Sequence, residues 1–321
     1  MKKMMLINNI CFIILTEINY KLDDLNNVDK ILDIMKRLFL LAETGEITIN
    51  DIKYLYSIPM TLLKTKHLIN YSNFYYNNIR LTWYNSLNLN TDNIIIYFHG
   101  GGYCIGSSEI YFPLCKKIRN QIKEKDTNFL LIDYKKAPEY SNLEIINSTY
   151  LCYKHIISLF DDKNIIFMGD SAGANLAIQI CNLAIVNKIK KPNALICMSP
   201  WIISNIKKKY WEQNQDRDYL TPYTINLAKE AFFKNNDRNE FNILNYNYDL
   251  FPEILIRAGG NELILDEILV FINILKKSKC IYTFDLISNM PHSFDLFYSY
   301  FKDDSPKFNK LIEFINKYTS K

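Results

Sequence analysis

Glycine is scarce in this chain, nine in 321 residues, and so are proline at nine, histidine at four and tryptophan at three. That little glycine and proline excludes collagen-like and linker-like low complexity. No Cys-x-x-Cys pair occurs. The seven cysteines (Cys11, Cys104, Cys115, Cys152, Cys181, Cys197 and Cys280) are scattered, most of them in apolar runs. An odd, unclustered set builds neither a disulfide framework nor a zinc site, and buried free thiols are the expectation. Charge of one sign is also missing. Thirty-eight basic against 34 acidic residues leave +4, too small and too scattered to imply a nucleic-acid partner.

The N-terminal apolar run, Met4 to Thr16 behind Met1-Lys2-Lys3, is too short to span a bilayer. Asn8 and Asn9 interrupt it, and no small-residue cleavage site follows. It reads as a first helix or strand packed on the domain of a cytoplasmic protein. Membrane association or secretion through this run is the alternative. The N-x-S/T matches at Asn70 and Asn147 carry little weight in a chain so rich in asparagine.

What is present is apolar and patterned. At 49% hydrophobic and 22% charged, the chain can bury a large core. Residues 20–66 read as helices, with Val28, Ile31, Leu32, Ile34, Met35, Leu38 and Leu41 at helical spacing. Residues 67–87 read as a hairpin broken at Asn77-Asn78. From Asn93 the pattern changes to short continuous apolar runs: Asn93–Phe98, Asn128–Ile132, Asn164–Met168, Ala194–Met198 and Glu253–Arg257. Most are followed by a helical stretch. The expected fold class is therefore α/β, a mostly parallel central sheet with helices on both faces. The interval from about 203 to 250 is too long for a simple crossover and reads as a helical insertion. Residues 1–66 are expected to join it as a cap over a catalytic domain of residues 67–321.

Eight of the nine glycines sit in three places: Gly100, Gly101, Gly102 and Gly106; Gly169 and Gly173; Gly259 and Gly260. Each place follows a predicted strand, where open α/β sheets bind ligands. The sharpest motif is Gly169-Asp170-Ser171-Ala172-Gly173, a G-x-S-x-G between strand and helix, which has the form of a nucleophile elbow. The second is His99-Gly100-Gly101-Gly102, whose bare backbone offers N–H donors to a developing oxyanion. A phosphate cradle is excluded, because the G-x-G-x-x-G register would need glycine at Ile105. Of the histidines, His67 lies far upstream, His99 belongs to the glycine loop and His155 falls within a predicted helix. His292, in a loop after the predicted strand Ile281–Ile287 and C-terminal to Ser171, is the candidate base. Two acids compete to orient it. Glu262 lies in the turn nearer the strand end and is favoured; Asp266 stands where the N-cap of a helix Glu267–Lys277 would be.

These motifs resemble the hormone-sensitive-lipase-like branch of the α/β-hydrolases, which includes arylacetamide-deacetylase-like esterases. Asp133-Tyr134-Lys135-Lys136-Ala137-Pro138-Glu139 is similar to that branch's D-Y-R-L-A-P-E segment, and Asp218-Tyr219-Leu220-Thr221 lies where it has a cap-side segment. Its acid box usually begins with Asp, at the position held here by Glu262, and ends at Asp266. The resemblance implies a serine carboxylic-ester hydrolase with Ser171, His292 and Glu262 (or Asp266) as the triad, and with Gly101, Gly102 and Ala172 donating to the oxyanion. No metal or organic cofactor is implied. The expected partner is a small-molecule or lipid ester. A lipase acting on membrane or droplet acylglycerols, and a catalytically silent small-molecule receptor on the same fold, are the alternatives. Tyr103, Tyr210, Trp211, Tyr219 and Phe232 are candidates to line the acyl pocket, with ordinary packing as the competing reading for each.

Overall fold

The computed structural model describes residues 35–44 (except 38 and 42), 71–84, 91–203, 209–233, 242–298 and 306–319. The Met4–Thr16 run, most of the expected N-terminal helices and His67 lie outside the described residues. Eight strands form one sheet: β1 (Tyr71–Tyr76), β2 (Ile79–Tyr84), β3 (Asn93–Phe98), β4 (Asn128–Asp133), β5 (Asn164–Asp170), β6 (Ala194–Met198), β7 (Glu253–Gly259) and β8 (Tyr282–Ile287). The helices are α1 (Phe112–Gln121), α2 (Asn142–Leu159), α3 (Ala172–Val186), α4 (Lys209–Asn214), α5 (Pro222–Phe232), α6 (Leu265–Leu275), α7 (Phe294–Tyr298) and α8 (Asn309–Thr319).

The strand order is β1-β2-β4-β3-β5-β6-β7-β8. The first two pairings are antiparallel and the rest parallel. The hairpin turns at Asn77 and Asn78, both at positive φ (47° and 62°), as a two-residue turn between twisted strands requires. The runs Asn93–Phe98 and Ala194–Met198 form strands over the predicted residues, and every residue in them is buried. β5 and β7 extend two residues beyond their predicted ends, into the turns that carry the site. Alternate β3 residues face opposite cores. Ile94, Ile96 and Phe98 pack with α2, α3 and α6, while Ile95 and Tyr97 pack with α1 and α8. Helices on both faces account for the absence of polar alternation in these strands.

Between β6 and β7 the chain builds α4, α5 and two short 3₁₀ turns over the C-terminal strand ends. Lys36 and Phe39 meet this insertion: Lys36 Nζ donates to the Gln215 carbonyl at 2.8 Å, and the Phe39 and Tyr219 rings stack at 6.3 Å. The six cysteines among the described residues are buried and form no disulfide with one another. Among the described residues no helix is long and apolar enough to cross a membrane.

One buried charge cluster bears on the site. Arg257 on β7 is fully buried and donates to Asp285 on β8 (2.5 Å), to both oxygens of Asp295 on α7 (3.1 and 3.2 Å) and to the Lys307 carbonyl (2.6 Å). Asp295 lies three residues after His292, so this cluster ties the histidine loop to the sheet. Arg257→Met would leave the buried Asp295 carboxylate with no cation and Asp285 with Lys310 alone, 2.9 Å from its other oxygen. It is expected to destabilise the fold by about 3–5 kcal/mol, read as a lower denaturant midpoint.

Candidate active site

β5 runs straight into a turn at Ser171, and α3 starts one residue later. Ser171 has φ 52° and ψ −121°, a strained conformation for a residue with a side chain. The turn is held from both sides: the Ser171 N–H donates to the Met198 carbonyl (2.9 Å), and the Ser171 carbonyl accepts from the Trp201 N–H (3.0 Å). Helix and strand cross very closely here. A Cβ at Gly173 would sit 2.0 Å from the Phe98 carbonyl oxygen, so only glycine fits.

The Ser171 hydroxyl lies 2.8 Å from Nε2 of His292. On the other side of the imidazole, Nδ1 lies 3.0 Å from Oε2 of Glu262. With Nδ1–H donating to the carboxylate, Nε2 is left to accept the serine proton. Glu262 is itself fixed: its Oε1 accepts from the Ser199 hydroxyl (2.6 Å) and the Gly259 N–H (2.5 Å). The Ser199 oxygen in turn accepts the Ser293 N–H at 2.9 Å, next to His292. Both His292 and Glu262 are buried. Asp266 is not part of this chain of contacts. It is not the N-cap either, because α6 begins at Leu265 with Ile264 as its cap. Asp266 falls in the first helical turn and accepts the N–H of Tyr210 at 2.7 Å.

The glycine loop folds beside the serine. Gly101 (φ 109°) cannot carry a side chain, because a Cβ there would lie 2.4 Å from the Ile105 carbonyl oxygen. Gly100, Gly101 and Gly102 line the same cavity as Ser171 and His292, and Ala172 opens α3. The hydrogen bonds formed among the described residues include none from the N–H of Gly101, Gly102 or Ala172. Asp170 holds the loop from below. Its carboxylate accepts from the Gly100 N–H (2.9 Å) and from the hydroxyls of Tyr97 (3.1 Å), Tyr111 (3.2 Å) and Ser293 (3.3 Å). Burial pushes Asp170 up to about 6, against the pull of these donors.

The other described histidines are structural. His99 donates Nδ1–H to the Gly100 carbonyl (2.7 Å) and stacks on Tyr134 at 4.2 Å. Burial, then the Lys136 charge, lower its pKa to about 4, which keeps the ring neutral. His155 stacks on Tyr76 at 4.3 Å.

The cavity above Ser171 measures about 120 Å³ and is mostly apolar. Phe39, Ile105, Trp201, Tyr219, Ile225 and Ala228 are among its walls. Of the five aromatics proposed from sequence, only Tyr219 lines it. Tyr103 and Phe232 stack on each other at 4.0 Å, buried, while Tyr210 and Trp211 pack against the core. Sequence reasoning missed Phe39 and Trp201 as wall residues, and Ser199 as a support of the acid. Ser199 follows an apolar strand at positive φ (44°), and its place after β6 was the available signal.

A family model described as alpha/beta hydrolase fold matches residues 95–296, well over half of the chain. The chain belongs to the alpha/beta hydrolase fold family. An esterase of Acinetobacter venetianus is 24% identical over 226 residues, covering 69% of this chain and 74% of that protein. Steryl acetyl hydrolase 1 of Saccharomyces cerevisiae is 26% identical over 165 residues, covering 47% of this chain and 37% of that protein. The crystal structure of an esterase from the bacterial hormone-sensitive lipase family superposes with a TM-score of 0.76 at 23% identity, over 91% of this chain and 98% of that one. By fold and by these relatives, this α/β-hydrolase is of the carboxylesterase or lipase type.

The environment of His292 sets its titration. Burial lowers its pKa, but the hydrogen bond and charge of Glu262, with the charges of Asp218 and Asp170, outweigh burial and hold it above the ordinary imidazole value. Neutral imidazole is the form that can take a proton. The acid limb of kcat/KM is therefore expected above the ordinary histidine range. In Glu262→Gln it should move to lower pH, with kcat down ~10³–10⁴-fold, as a pH–rate profile would read.

Proposed function

We propose that this α/β-hydrolase cleaves carboxylic esters through Ser171 as nucleophile, His292 as general base and acid, and Glu262 as the residue that orients the imidazole. The observation that carries the reading is the continuous contact Ser171 Oγ–His292 Nε2–His292 Nδ1–Glu262, at 2.8 and 3.0 Å, on a strained turn opening a helix. His292 takes the Ser171 proton as the oxygen adds to the ester carbonyl. The N–H groups of Gly101, Gly102 and Ala172 receive the oxyanion, the charge that dominates this transition state. His292 then protonates the departing alcohol, and water, deprotonated by the same ring, releases the acid and restores the serine.

The cavity supports a small, uncharged acyl group. A void of about 150 Å³ accommodates a benzene ring, and here about 120 Å³ lies between mainly apolar walls that open on one side to solvent. A relative named for steryl acetyl hydrolysis points to acetyl esters as well. Phe39, Tyr219 and the α5 residues Thr224, Ile225 and Ala228 form the cap side of this cavity. Release of the acyl group needs no metal or organic cofactor in this scheme.

The test is turnover of p-nitrophenyl esters from acetyl to palmitoyl, beside Ser171→Ala. Highest turnover on the shortest acyl chains is expected, falling at least ~10³-fold in the variant. A maximum at long chains that rises with an added lipid interface would replace this reading with a lipase. No turnover on any chain length, with a bound small molecule in its place, would indicate a silent receptor.

A further inference from the structure

The insertion reaches past the cavity it covers. The last residue of α4, Asn214, and Asp218 in the segment after it are two buried polar side chains. The Asn214 amide donates to the Glu262 carbonyl (3.0 Å) and the Gly260 carbonyl (3.3 Å). Asp218 Oδ2 accepts the Leu263 N–H (2.8 Å). The Glu262 carbonyl and the Leu263 N–H are the two ends of one peptide unit, so the insertion grips the peptide that carries the acid at both ends. Asp218 Oδ1 accepts the N–H of His292 (3.2 Å) together with that of its neighbour Tyr219 (2.8 Å). Asn214 and Asp218 are themselves joined, the Asp218 N–H donating to the Asn214 carbonyl at 2.9 Å.

We infer that Asp218 is a positioning residue: one buried carboxylate from the cap insertion fixes the backbone of His292 and the peptide following Glu262, and sets base and acid at their mutual distance. The inference rests on the serine-hydrolase reading for its effect on turnover, but its geometry concerns only the backbone around His292 and Glu262. All three donors to Asp218 are backbone N–H groups, so the carboxylate acts as acceptor only. Burial pushes Asp218 up to about 6, with Glu262 adding like charge and His292 and the Leu263 and His292 N–H groups opposing. At neutral pH it is mostly ionised. The charged groups facing His292 are then Glu262 from the β7–α6 turn, Asp218 from the insertion and Asp170 from the end of β5. Loss of one of these three carboxylates lowers the imidazole pKa. A fall in that pKa alone would report the charge, so the positioning role is read from kcat and from Asp218→Glu, which keeps the charge.

Asp218→Asn keeps the shape but turns an N–H₂ toward at least one of the three N–H donors. With four histidines in the chain, the His292 ring can be followed by carbon-detected NMR of histidine-labelled protein. In the variant its pKa is expected to fall, because one of the carboxylate charges that raise it is gone. The acid limb of kcat/KM should fall with it, and kcat should drop ~10²-fold with KM little changed. The inference is overturned if His292 titrates as in the wild type, or if kcat stays within about twofold. If the wild type hydrolyses no ester, the ester reading falls alone, and the rate of fluorophosphonate labelling at Ser171 is read in place of kcat. Should Asp218→Asn lack a cooperative melt, Asp218→Glu carries the test, because it keeps the charge and moves it by one methylene. A near-native His292 pKa with lowered kcat supports the inference, and an unchanged kcat overturns it.

Discussion

The carbonyls of Phe98 and His99 pass so close to the first turn of α3 that no side chain can exist at Gly173. This crossing of β3, β5 and α3 is the constraint on which the site depends. It brings the glycine loop after β3 and the serine after β5 to one point, since the two strands are paired in parallel register, Phe98 beside Gly169. The same crossing forces Ser171 into a backbone conformation that costs energy. Nearby, Tyr103, Ser199 and Ser293 are also held at positive φ. These strained residues lie where Ser171, the support of Glu262 and the glycine loop come together around one small volume. The strain is offset by the buried strands on either side and by the hydrogen bonds that pin each turn.

Much of this was legible in the sequence because the determinants are local. Buried parallel strands are continuous apolar runs, so β3 and β6 could be read to the residue. Glycine is rare enough here that its three clusters mark the strand ends, and a serine inside one of them stood out. The choice of Glu262 over Asp266 was harder. The two differ by one helical turn, and the outcome depends on where α6 begins. The chain stays in a turn through Ile264, which leaves Glu262 facing His292 and puts Asp266 within the helix, under α4.

The parts that were illegible depend on distant pairings. Asp218 meets Leu263 and His292 across 45 and 74 positions. No spacing rule connects an aspartate in a charged insertion to peptide groups in two later turns. The aromatics of the insertion misled for a similar reason. Phe232 and Tyr103 satisfy each other by stacking, so their size and polarity say nothing about whether they face a cavity. Phe39 could not be ranked as a wall residue because its position depends on how the N-terminal helical residues dock on Tyr219. The two halves of the molecule thus differ in kind: the sheet and its turns follow from periodicity and glycine, while the roof follows from long-range packing.

The central claim is that the oxygen of Ser171, activated through His292, is the atom that attacks. Labelling with a fluorophosphonate followed by peptide mapping addresses it most directly, because the probe reports an activated serine without assuming a substrate. The account predicts a single adduct on the peptide holding Ser171, and its loss in His292→Ala. An adduct on another residue, or labelling of Ser171 that persists undiminished without His292, would contradict it.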